Sequence, residues 1–108
     1  MLEGQLGKLL QQAQKIQADM ARAQEALKNM RVEAVVDAGS VKVVADGRQN
    51  IVDIILDPGL IHPANARAIQ KLLVEAVNKA LEKSKNLAGQ EMSKATGGLN
   101  VSDIPGLF

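Results

Sequence analysis

The sequence predicts an α+β fold of order α-β-β-β-α. A three-stranded antiparallel meander lies between two long projecting helices, and the whole assembles as a homodimer. Three observations predict it: a heptad-spaced apolar seam, then β-branched segments cut by tight-turn dipeptides, then a second amphipathic run closed by two glycines. The 108 residues suit a single domain over 1–108, with residues 1–5 flexible and residues 97–108 a loose C-terminal tail.

The first element follows from spacing. Leu2, Leu6, Leu9, Ala13, Ile16, Met20, Ala23, Leu27 and Met30 are separated alternately by four and three residues, the seam of a helix docking lengthwise on a partner. Between them stand good helix formers, Gln, Ala, Lys and Glu, with no proline. A helix from Leu6 to about Asn29 would be about 35 Å long at about 1.5 Å per residue. Leu9, Ile16, Met20 and Leu27 are expected to hold its dimer or helix-packing seam.

The period then falls to two. Residues 32–37 read as a strand bounded by Ala38-Gly39, and residues 40–45 as a second, closed by Asp46-Gly47, a dipeptide suited to a type I′ hairpin. Residues 49–56 form a third, stopped by Asp57-Pro58-Gly59. This third strand is apolar on both faces apart from Asp53, so each side of it should be covered. A second helix is expected from near His62-Pro63, proline suiting a first helical turn. Ile69, Leu72, Leu73, Ala76, Val77, Ala80, Leu81, Leu87 and Ala88 mark its apolar face, and Gly97-Gly98 its end. Two amphipathic helices and a two-sided strand leave more apolar surface than one small sheet covers, and a two-fold dimer is the economical answer; the alternative is that the first helix folds back on the second inside one monomer.

Composition narrows the chemistry. The chain has no cysteine, one histidine and one aromatic residue, Phe108, which leaves no thiolate metal site, disulfide or cysteine nucleophile. His62, before a proline at a helix start, reads as a capping residue. Asp37, Asp46, Asp53 and Asp57 lack metal-loop spacing, and the serines lack a base. No enzyme, cofactor, metal or small-molecule substrate is expected. No apolar run approaches a membrane span, so the expected location is the cytoplasm.

The net charge of +1 conceals a segregation: residues 1–31 carry +2, residues 32–61 carry −3, residues 62–96 carry +3, and Asp103 adds −1. An electrostatic partner would therefore be met at the helical ends. Lys8, Lys15 and Arg22 recur every seven residues beside the apolar seam, with Gln12 among them, and Lys83 and Lys94 lie on the basic margin of the second helix. Such a stripe suits either a solvated face or a phosphate backbone, where cations displace condensed counterions. Single strands are gripped by stacking on aromatic rings, which are lacking here, so duplex DNA held through phosphates is the nucleic-acid mode left open. The alternative is a helix-mediated protein–protein adaptor or chaperone-like module using the heptad face.

Leu9-Leu10-Gln11-Gln12-Ala13-Gln14-Lys15-Ile16-Gln17, Asp57-Pro58, Val74-Glu75-Ala76-Val77-Asn78-Lys79-Ala80, Gly97-Gly98-Leu99-Asn100 and Ile104-Pro105-Gly106-Leu107-Phe108 follow one another in this order. With them the chain resembles the YbaB/EbfC family of bacterial nucleoid-associated proteins over nearly its whole length. The resemblance implies a homodimer whose helices project like tweezers from a β-sheet body and which binds duplex DNA with limited sequence preference. It also implies a location in the cytoplasm, at the nucleoid, and a role in gene expression, nucleoid organisation or recombination-linked repair.

Overall fold

The computed structural model describes residues 2–97. Helix α1 spans Leu2–Leu27, strands β1 Arg31–Val36, β2 Val41–Asp46 and β3 Ile51–Leu56 follow, and helix α2 spans Ala66–Ala95. The strands form one antiparallel sheet of order β1-β2-β3, so the α+β meander is as expected. Helix α1 begins at Leu2, four residues before the expected Leu6, and stops at Leu27, two residues before Asn29. The loose tail assigned to residues 97–108 lies, apart from Gly97, outside the described residues.

Alternation builds the sheet's two faces. Ala34, Val43 and Ile54 form one cross-strand row and Val36, Val41 and Leu56 the next, both on the face turned to α2. Helix α2 meets this face with a stripe of small residues at intervals of four: Ala76, Ala80, Ser84 and Ala88, all buried, with Met92 after them. Small side chains let the helix approach the sheet closely. Val41, Val43, Ala45, Ala76 and Ala80 reach 0% exposure as a result.

The helix covers β1 and β2 and largely misses β3. Val52, Ile54 and Ile55 of β3 are exposed, and so are Ile61 and Val74. The third strand is therefore an edge strand left uncovered within one chain, where its sequence calls for cover on both sides.

Both turns depart from the simplest reading. Between β1 and β2, Asp37, Ala38 and Gly39 all adopt positive φ, and Asp37 accepts a hydrogen bond from the Ser40 hydroxyl. Between β2 and β3, Asp46-Gly47 is not a two-residue type I′ turn. The loop runs to Asn50, with Asp46 N donating to Asn50 O at 2.9 Å and Gln49 at φ 63°. Gly47 is needed for another reason. Its N–H donates to Leu27 O at 2.9 Å, and a Cβ there would lie 2.6 Å from a methyl of Leu27 and 2.8 Å from its carbonyl oxygen. The glycine thus lets the hairpin press against the end of α1.

Helix α2 starts at Ala66, later than Pro63. Pro58 and Pro63 each open a single 3-10 turn, capped by Asp57 accepting from Gly59 N at 3.0 Å and by His62 Nδ1 accepting from Ala64 N at 3.1 Å. The histidine is a cap, as expected.

Candidate functional site

The two helices run antiparallel where they meet. Going up α1 from Gln12 to Ala23, the facing residues of α2 descend from Gly97 to Glu91. Leu27, at the foot of α1, is buried at 3% exposure, while Ile16 and Met20 are half-buried. Leu9 is 62% exposed, beyond the end of α2. Of the four seam residues, then, the last is buried, two are half-buried beside an open groove along α1, and the first is largely exposed.

The cations follow the same geometry. Gln12 and Lys15 line a shallow cleft with Asp19, Lys94 and Gly97. One turn further on, Arg22 and Lys94 flank a second cleft with Asp19 and Glu91. Lys94 is common to both, so Gln12, Lys15, Arg22 and Lys94 form one polar margin along the junction of the helices. Carboxylates temper it: Arg22 pairs with Asp19, and Lys94 with Glu91 at 3.1 Å. Arg22 and Lys94 have side chains 76% and 73% exposed, and exposed ion pairs of this kind exchange readily for another anion. Lys15 has no ion pair among the described residues.

Lys8 lies on the part of α1 that extends past α2, two turns from Lys15. Lys83 is elsewhere: its Nζ donates to the Glu33 carbonyl of β1 at 2.7 Å. Of the six residues singled out in the sequence, four therefore share one margin, Lys8 continues its line, and Lys83 serves the sheet edge.

Sequence reasoning missed Ser84. This residue is fully buried in α2, its Oγ donating to Asp46 O at 2.6 Å and accepting from Gln49 N at 2.9 Å. It ties the hairpin turn to the helix and so sets the angle between helix and sheet. The available signal was its place in the small-residue series at intervals of four. Beside it, burial pushes the Asp46 carboxyl up. Hydrogen bonds from the Asn50 N–H, the Asn50 side chain and the Arg48 N–H, with the charge of Arg31, outweigh burial and leave its pKa below the ordinary 3.8. Among the described residues no group of three or more His, Asp or Glu side chains is placed to hold a metal ion, and no helix is long and apolar enough to cross a membrane.

A helical arm standing off a three-stranded sheet, with polar and cationic groups lining its junction with a second helix, places the chain among small α+β proteins built around an arm. The chain belongs to the YbaB/EbfC DNA-binding family, whose family model matches residues 3–99. It is 44% identical over 108 residues to a nucleoid-associated protein of Pelotomaculum thermopropionicum, covering 100% of both chains. To one of Desulforamulus reducens it is 46% identical, again covering 100% of both. To one of Acetivibrio thermocellus it is 46% identical over 105 residues, covering 97% of this chain and 91% of the relative. The fold also resembles the crystal structure of uncharacterized protein HP0035 from Helicobacter pylori. The TM-score is 0.57 at 21% identity, over 65% of this chain and 81% of that one.

Proposed function

We propose that this protein is a non-enzymatic, nucleoid-associated protein that binds duplex DNA as a homodimer, through phosphates and with limited sequence preference. The observation that carries the reading is the junction of the helices, where Gln12, Lys15, Arg22 and Lys94 from two different elements share one margin. Lys8 extends the line along the arm. Cations spaced along a rigid helix meet a regular array of phosphates without reading base edges, which gives affinity with little discrimination. The relatives bear the name nucleoid-associated protein, which agrees with this reading.

The homodimer draws its support from the sheet's two edges. The β1 edge is blunted by Arg31 and Glu33 and by Lys83, which occupies the Glu33 carbonyl. The β3 edge carries a single charge, Asp53; its outer backbone groups face no neighbouring strand among the described residues, and Val52, Ile54 and Ile55 are exposed beside them. Pairing two β3 edges would cover these residues and present both basic margins on one particle.

A gel-shift titration of duplex DNA at several salt concentrations tests the DNA reading. Each phosphate contact contributes about 0.9 to the slope of log affinity against log salt, so replacing Lys8, Lys15 and Arg22 by Ala in both protomers should flatten the slope by about 5. Affinity should fall alike on unrelated sequences. Unchanged affinity in the triple variant, shown folded by circular dichroism, would remove these residues from the interface.

A further inference from the structure

The ion pairs at the junction of the helices are layered differently from the rest. In the Lys28–Glu25, Lys42–Glu33 and Lys79–Glu75 pairs the carboxylate side chain is 72%, 53% and 50% exposed. At the junction the carboxylates are withdrawn: Asp19 and Glu91 are 27% and 23% exposed, while their partners Arg22 and Lys94 stand out in solvent. Each acid lies three residues before its base, Asp19 before Arg22 on α1 and Glu91 before Lys94 on α2, and the antiparallel helices bring both pairs into one cleft. Asp19 also lines the neighbouring cleft, with Lys15 and Lys94. The acids therefore form the floor of the junction and the cations its rim.

This layering acts against an anionic ligand. Two cations and two carboxylates cancel within the cleft, so it draws no anion from a distance. The net attraction along the margin comes from Lys8 and Lys15, which have no ion pair among the described residues. A phosphate that reaches Arg22 or Lys94 meets a cation already held from below. It also brings negative charge toward a carboxylate partly withdrawn from water, where screening is weaker.

We propose that Asp19 and Glu91 restrain DNA binding at this junction: they hold Arg22 and Lys94 as phosphate oxygens would, and a duplex must win both cations from them. The inference rests on the reading of this margin as the DNA interface and adds to it a limit on affinity built from the chain's own acids.

Gel-shift titration of the full-length protein on one duplex tests it, at about 0.1 M salt, where exposed charges more than about 10 Å apart are largely screened from one another. Asp19→Asn with Glu91→Gln should tighten binding at least tenfold, and Asp19→Asn alone at least threefold. Shared among the two ion pairs of each protomer in a dimer, tenfold, or about 1.4 kcal/mol, asks only a few tenths of each pair. Glu33→Gln with Glu75→Gln adds the same charge and frees Lys42 and Lys79, yet should change affinity less than twofold. Glu75 lies about 28 Å from Lys94 along α2. In a chain already carrying Arg22→Ala and Lys94→Ala, neutralising Asp19 and Glu91 should gain less than threefold, because the cations they hold are gone. Absence of tightening, equal tightening by the distant pair, or a full tenfold gain without the two cations would each overturn the proposal and leave DNA binding in place. A parent protein that ignores the duplex even at low salt would overturn the DNA reading, and the proposal with it.

Discussion

Ser84 shows how much one small side chain can decide. Its hydroxyl links the Asp46 carbonyl and the Gln49 N–H to α2, and both hydrogen bonds lie under 3 Å. Ser84→Ala leaves both backbone groups without that partner and should cost about 1–3 kcal/mol, measured by urea denaturation. Asp46 acts a few ångströms away through charge. Because its pKa is lowered in the folded chain, the charged form favours folding. That contribution is complete above the ordinary value of 3.8 and is lost as pH falls through the lowered folded value. The stability difference between the parent protein and Asp46→Asn should therefore hold steady near neutral pH and change only below about pH 4. A difference that drifts between about pH 6 and 8 would point to another group.

At the level of elements, the sequence announced both helices and all three strands, because periodicity is a local property. Leu6 to Leu27 could be read at spacings of four and three, and Val41, Val43 and Ala45 at spacings of two. Turn geometry was less legible, since it depends on contacts far along the chain. Asp46-Gly47 looks like a hairpin dipeptide in isolation, yet its glycine answers to Leu27, twenty residues earlier, and the loop lengthens to meet Ser84. The doubly apolar third strand was legible as a demand for cover, but not which element would leave it bare. That outcome gives the edge its prediction: if the proposed homodimer pairs β3 edges, Ile54→Lys, on the exposed strand, should yield a single chain in light scattering without lowering helix content. A dimer that persists at micromolar concentration would move the interface elsewhere.

Seen whole, the molecule is long and narrow, 75 Å by 22 Å by 18 Å. Its basic residues are spread along that length, which explains why composition alone understated them. The stripe of Lys8, Lys15 and Arg22 was legible because seven residues make nearly two helical turns. The neighbourhood of Lys94 and Arg22 was only partly so, because it depends on where α2 ends against α1. Lys83 points the same lesson the other way: a lysine on a basic margin of the helical wheel proves to be a ligand of a backbone carbonyl fifty positions away.

The seating of Gly47 on Leu27 has a mechanical consequence. The foot of the arm, the hairpin and α2 all meet within a few residues of that point, so it works as a pivot. Leu6 lies about 30 Å away along the helix, and a tilt of about 5° at the pivot sweeps it through about 3 Å. A single methyl group added at the pivot would therefore be felt most at the far tip, as an error of aim.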